Sequence, residues 1–317
     1  QLGFTLIVRG APAGSDILID NVSRGITLPD GSTKVTYLKP GKRLVRVTRE
    51  GYNEFNTTVT ATAGITEFII AQLVALERKS SLPEAIDYNG QMLLIPAGEF
   101  ILGSNNYLPN EQVEQKVYLP DYYIDKYEVT NGQYQKFCQA TNRSMPSNPW
   151  WDENYFSNPN LPVVGITWND ANAYANWANK KLPSEAEWEK AAAWDAKAQR
   201  KRIWPWGDNP DPIRANINTA HPSPINQYSS GASSYGVEDM AGNAAEWVDS
   251  FYQAYAGSQS ADINYGTTNR VVRGGSFRSS FEDARTTRRF YHTPDFKADE
   301  VKNRSWLIGF RCAVLAS

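Results

Sequence analysis

The chain has 317 residues and a formal net charge of −2, with 32 Lys and Arg against 34 Asp and Glu. That length accommodates one large core or two smaller ones, and the near-balanced charge excludes the basic stripe that nucleic acid or an anionic membrane would require. No apolar run reaches the roughly 18 residues of a membrane span. His221 and His292 stand alone, which excludes a histidine-based zinc or copper cluster. Cys138 and Cys312 allow either one disulfide closing a very long loop or two buried thiols. The abundant rings, 10 Trp, 17 Tyr and 12 Phe, suit a loop-rich fold that packs with aromatics where regular structure is sparse. The first residue is Gln1 and not Met, from which a removed signal peptide or upstream segment is expected.

Residues 1–76 are predicted to form a small all-β sandwich. Short β-rich runs at 4–8, 16–20, 43–47 and 55–59 are separated by the turn signals Pro12-Ala13-Gly14, Pro29-Asp30-Gly31 and Pro40-Gly41. The stretches Pro12 to Asp20, Leu38-Lys39-Pro40-Gly41 and Arg49-Glu50-Gly51-Tyr52 resemble a PEGA domain. That resemblance implies a spacer or adhesion module of bacterial surface and sensor proteins, without catalysis. Residues 77–90, charged and carrying Pro83, are expected to be a linker, and residues 91–317 a second domain.

In that second domain Met92 to Ile95 and Tyr122 to Val129 are predicted strands. A helix follows Thr130-Asn131, either of which can cap it, with Tyr134, Phe137 and Cys138 on its apolar face. A second helix starts near Thr167 and carries Ala173, Tyr174 and Trp177. A third opens at Ser184, where Glu187 completes a capping box. Glu185, Glu187 and Glu189 are therefore read as helix-stabilising acids, not catalytic ones. Further on, Asp239 and Glu246 offer hard anionic oxygens on either side of a turn at Gly242. From composition alone this is either a capped turn or a calcium loop.

Several motifs occur in order: Leu93 to Gly103, Tyr123 to Asn131, Lys181 to Glu189, Trp204-Pro205-Trp206-Gly207-Asp208, Tyr235 to Trp247, Arg273-Gly274-Gly275-Ser276 and Gly309-Phe310-Arg311-Cys312. Together they resemble the formylglycine-generating enzyme (sulfatase-modifying factor) family. Periodicity alone gives α+β and loop-rich; the resemblance implies a C-type-lectin-like fold. It also implies copper held by two cysteines soon after the Gly-Gly-Ser motif. Here the first of those positions falls on Ser279, and no cysteine lies between Cys138 and Cys312, so no copper is expected. The ergothioneine-type branch, which binds iron through histidines, is not expected either. Cys312 matches a structural cysteine of the family whose usual partner position is Ala175 here, leaving Cys138 as the alternative partner.

The resemblance further implies a structural Ca2+ held by Asp239, by the carbonyls of Met240, Gly242 and Ala244, and by Glu246. A second family site near Asn216-Ile217 lacks its acid and is not expected. Arg270, Arg273, Arg278, Arg285, Arg288, Arg289, Arg304 and Arg311 crowd the last fifty positions. The family pattern makes Arg285, Arg289 and Arg311 structural. Ser276, Phe277, Arg278, Ser279, Phe281, Arg288, Tyr291, His292 and Trp306 are the candidate ligand-binding residues of a groove for a protein, peptide or glycan. The functional expectation is a non-catalytic, calcium-stabilised, extracytoplasmic bacterial binding or sensor module, with homo-oligomerisation left open. The alternatives are a surface assembly protein, a diversified variable protein of a retroelement, and an oxidoreductase of the formylglycine type with altered chemistry.

Overall fold

The structure, a computed structural model, describes residues 3–49, 52–74, 82–296 and 307–316. The chain divides into two compact units, 1–78 and 79–317. In the first unit the strands are β1 (Phe4–Arg9), β2 (Asp16–Ile19), β3 (Val22–Ile26), β4 (Thr33–Leu38), β5 (Gly41–Thr48), β6 (Phe55–Ala61) and β7 (Thr66–Ile70). They form two sheets, ordered β4-β1-β7 and β3-β2-β5-β6. Alternation along β1 sends Phe4, Leu6 and Val8 inward, where they meet Ile17, Ile19, Val45, Val47 and Val59. This is the expected all-β unit. Sequence reading finds four of its strands and misses β3, β4 and β7. Every residue of β3 is exposed, so that strand carries no apolar alternation to detect.

In the second unit β8 (Ala85–Asp87), β9 (Gln91–Ile95), β12 (Tyr122–Asp125) and β19 (Ala313–Leu315) make one sheet, ordered β19-β12-β9-β8. A hairpin of β10 (Gly98–Leu102) and β11 (Gln115–Leu119) and a short pair, β13 (Trp194–Asp195) with β14 (Arg200–Lys201), form two further two-stranded sheets. The other four-stranded sheet is β17 (Phe290–His292), β16 (Arg270–Arg273), β15 (Ala245–Phe251) and β18 (Ile308–Phe310), in that order. Residues 85–87, read from sequence as linker, pair with β9. The polar character of the segment reflects an edge strand, only one of whose three residues is even half-buried.

Among the described residues the unit also has three α-helices: α1 (Asn131–Thr141), α2 (Trp168–Trp177) and α3 (Glu185–Ala193). Thr130 and Ser184 each form a capping box, with Gln133 and Glu187 respectively, and Thr167 accepts from the Asp170 N–H. On α2 the buried face is Trp168, Ala171, Tyr174 and Ala175, so Ala173 and Trp177 lie off it. Cys138 and Cys312 belong to one hydrophobic cluster with α1 and α2, yet both thiols are free. Of the two alternatives left open by the sequence, the structure shows two buried thiols, and that of Cys138 donates to the Ser144 carbonyl at 3.6 Å.

Ser184→Ala removes the oxygen that accepts the Glu187 N–H at 3.2 Å. It is expected to destabilise the protein by about 1 kcal/mol, measured as a lower urea midpoint with an unchanged slope.

Candidate functional site

Trp188 of α3, Glu246 of β15 and Arg311, which follows β18, meet in the interior of the second unit. The Arg311 guanidinium donates from Nε to Glu246 Oε2 and from Nη2 to Oε1, both at 2.8 Å, and Trp188 Nε1 donates to Oε2 at 2.7 Å. The remaining Arg311 donors reach the carbonyls of Asp125, Lys126 and Glu238. Glu246 is 1 % exposed and has both oxygens engaged. In this arrangement it is the counter-charge of Arg311.

Beside this pair sits an acidic pocket that is not neutralised. Glu128 Oε1 accepts from Asn243 Nδ2 at 3.0 Å and from the Ala244 N–H at 3.4 Å, while Oε2 is buried without a partner. Asp239, in the left-handed region at φ 57°, likewise has an unpartnered buried Oδ2. The Met240 and Gly242 carbonyl oxygens accept no hydrogen bond among the described residues. Glu246 is balanced by Arg311 and Glu238 by Lys126 at 3.3 Å. Glu128 and Asp239 thus make no ion pair with any described residue. Burial, joined by the neighbouring Asp239, pushes the Glu128 carboxyl well above the usual range. Burial, with Glu238 and Glu246 adding to it and Arg311 opposing it, pushes Asp239 up to about 7.

Orphaned carboxylate oxygens together with free carbonyls are a donor set for a hard dication, and not for copper, which takes thiolates. No three His, Cys, Asp or Glu side chains form a metal cage among the described residues. A Ca2+ here would rest on Glu128 and Asp239, with backbone carbonyls supplying most of its roughly six to eight oxygens. A cleft of about 250 Å³, bordered by Gln91, Tyr127, Gln133 and Ile225, has Glu128 in its wall. Gly242 is required where it stands. Its φ is +86°, and a β-carbon there would collide with the Asn216 carbonyl and come within 2.7 Å of Ile217. Asn216 itself spends its amide on His221 O and Asn243 Oδ1 and accepts from the Thr219 hydroxyl.

The Gly-Gly-Ser loop lies next to this pocket. Gly274 and Gly275 have φ of 87° and 68°. Ser279 Oγ accepts the Ser276 N–H at 2.8 Å, and Ser276 Oγ accepts the Arg278 N–H at 3.3 Å. Phe277 donates its N–H to the Asn243 carbonyl and is fully buried. Ser276 and Phe277 are therefore corrected from ligand contacts to parts of the loop's framework. Arg278 is exposed and lies against Trp150, Trp151 and Phe277.

The other candidate ligand residues do not join one groove. Phe281 packs on Trp204 and accepts its indole N–H. Arg288 pairs with Asp283 and lies over Phe290. On β17, Tyr291 stacks on Tyr252, and His292 stacks on Phe296. Trp306 is outside the described residues. Arg285 and Arg289 are internal, paired with Glu111 and Glu185. Sequence reading missed Glu128 and the Trp150-Trp151 pair. The first was hidden inside a strand motif, although an acid between Tyr127 and Val129 is a signal; the second is a tandem of indoles in an otherwise polar run.

These features define a protein of two modules, a β-sandwich and a loop-rich α+β unit whose Gly-Gly-Ser loop is closed by serine hydroxyls. The chain belongs to the sulfatase-modifying factor family: residues 79–316 match the sulfatase-modifying factor enzyme 1-like domain, and residues 4–76 match the PEGA domain. Hercynine oxygenase of Mycolicibacterium smegmatis is 32% identical over 234 residues, covering 59% of this chain and 54% of that protein. The formylglycine-generating enzyme of Bos taurus is 27% identical over 289 residues, covering 70% of this chain and 74% of that protein. The chain thus spans about half the length of the first of these relatives. The structure of PvdO from Pseudomonas aeruginosa aligns with a TM-score of 0.59 and 23% identity, over 74% of this chain and 99% of that one. The second unit has the C-type-lectin-like fold expected from its motifs.

Without metal, the folded protein holds protons on Glu128 and Asp239 that the unfolded chain releases above about pH 4. The raised folded pKa values mean that this contribution to stability is present below about pH 4 and is lost as pH rises through the folded values. In chelator, the melting temperature is expected to fall between pH 5 and 7.5, by an amount equivalent to a few kcal/mol. Glu128→Gln should flatten that dependence; an unchanged slope in the variant would contradict the assignment.

Proposed function

We propose that the second unit is a non-catalytic, calcium-stabilised ligand-binding module carried on a PEGA spacer outside the bacterial cytoplasm. The observation that carries this reading is Ser279. It occupies the place where the family resemblance sets the first copper-binding thiolate, and its hydroxyl closes the loop by accepting the Ser276 N–H. The two cysteines of the chain are elsewhere and buried, and burial pushes both thiols up, away from the reactive thiolate. Glu128 and Asp239 supply the anionic half of a Ca2+ site, and the ion would balance their two charges. Bound there, it would tie the segment between β12 and α1 at Glu128 to the loop that carries Asn243 and, through it, Phe277. The absence of a helix long and apolar enough to cross a membrane among the described residues is compatible with an exported module.

Calcium at one hundred times its dissociation constant should add about 2.7 kcal/mol of stability. The melting temperature is expected to rise on replacing chelator with CaCl2 in the parent, and to rise far less in Asp239→Asn. Equal melting curves with and without Ca2+ would remove the calcium part of the reading. Copper-loaded protein incubated with a cysteine-containing sulfatase peptide is expected to yield no formylglycine; its formation would overturn the non-catalytic part.

A further inference from the structure

The arginines of the C-terminal segment differ in one respect. Among the described residues Arg270, Arg273, Arg285, Arg288, Arg289 and Arg311 each pair with a carboxylate. Arg278 makes no ion pair with any described residue, and it is exposed. It is nevertheless positioned: its Cζ lies 5.5 Å from the ring centres of both Trp150 and Trp151 and 5.6 Å from that of Phe277. Phe277 is fully buried and anchored through its backbone to Asn243, so one wall of this seat is rigid. Trp151 packs edge-on against Phe277 at 5.6 Å, and Trp150 edge-on against Trp151 at 5.8 Å. The chain of rings ends in Trp150, which is 60 % exposed. An indole left this open beside a guanidinium without an ion pair offers a flat ring face and a two-pronged donor side by side.

We propose that Trp150 and Arg278 form a subsite for a carboxylate-bearing saccharide, a deepening that rests on the binding-module reading above. The guanidinium matches a carboxylate as a two-pronged donor. The indole offers a flat, electron-rich face to the C–H face of a pyranose ring. The surroundings select a sugar over a protein partner. Trp150 is the lone large apolar side chain exposed between residues 119 and 176 among the described residues, whereas a protein interface core gathers several. Its exposed neighbours Ser147, Asn148 and Asn154 offer hydroxyl and amide groups suited to sugar hydroxyls. The acids of the same run, Asp152 and Glu153, make no ion pair with Arg278, and an Asp152 oxygen is occupied by the Asn154 N–H.

The test is calorimetric titration of the full chain with trigalacturonate, a hyaluronate tetrasaccharide and sialyllactose, with methyl-esterified trigalacturonate and triglutamate as comparators. At least one acidic saccharide is expected to bind, and for trigalacturonate the ester should bind about tenfold more weakly, the value of one charged hydrogen-bonded pair. Arg278→Ala should bring the acid down to the level of its ester, Arg278→Lys should fall between, and Trp150→Ala should abolish binding of both. Melting temperatures of these surface variants, expected at parental values, separate lost binding from lost folding. Failure of all three acidic saccharides, equal binding of acid and ester, equal binding of triglutamate, or parental affinity in the variants would each overturn the subsite. None of those outcomes touches the non-catalytic reading, which stands or falls on formylglycine production.

Discussion

The second unit depends on guanidinium groups buried against carboxylates that come from far along the chain. Arg311 meets Glu246 across 65 residues, Arg273 meets Glu185 and Glu189 across 88 and 84, and Arg285 meets Glu111 across 174. Arg273 and Arg311 are fully buried. Such pairs are poor sources of net stability, because desolvation offsets most of the attraction, but losing one partner costs roughly 3–5 kcal/mol. Their second service is to the backbone. A loop-rich fold leaves many carbonyls without a ladder partner, and a guanidinium has five donors to distribute. Arg311 uses three on the Asp125, Lys126 and Glu238 carbonyls, and Arg289 reaches those of Asn110 and Gln253. The arginines thus do in the irregular segments what strand pairing does in the sheets.

That arrangement also decides where a cation fits. Once Arg311 claims both oxygens of Glu246, the buried acids left without an ion pair beside it are Glu128 and Asp239, one approaching from the segment between β12 and α1 and the other from the turn before Gly242. The loop reads as a metal loop from its acids and its glycine, and in the structure Asp239 Oδ2 and the Met240 and Gly242 carbonyls have no hydrogen-bond partner among the described residues. The sequence cannot show which carboxylate an arginine more than sixty residues away will occupy, so the pairing of Glu246 with Arg311 was not legible in it.

Features fixed by local chemistry were legible. The caps at Thr130, Thr167 and Ser184, the inward alternation of β1 and the structural character of Arg285, Arg289 and Arg311 could all be read from short patterns or motifs. Features fixed by tertiary competition were not. β3 has no buried residue, so the pattern that reveals a strand is missing. The candidate groove failed because its residues were collected by position along the chain. In the structure Phe281 joins Trp204, Tyr291 joins Tyr252, and only Arg278 and Ser279 of the loop reach the surface.

Ser279 shows how the Gly-Gly-Ser loop is closed by a hydroxyl. The loop from Gly274 to Ser279 turns twice through left-handed conformations, which exposes the Ser276 N–H to a side-chain acceptor three residues on. A hydroxyl satisfies that donor at ordinary hydrogen-bond distance, where a thiol is a weak acceptor. The loop is thereby closed without metal, and its outer residue is free to point away from the framework. That residue is Arg278, and the rings that hold it are anchored through Phe277 to the backbone carbonyl of Asn243, the residue whose side-chain amide donates to Glu128. The acidic pocket and the exposed guanidinium are therefore consecutive links of one rigid path. Neutralising Glu128 and Asp239 would stiffen the seat of Arg278 at its base, so a cation held there would act on the loop's outer face as well as on its core.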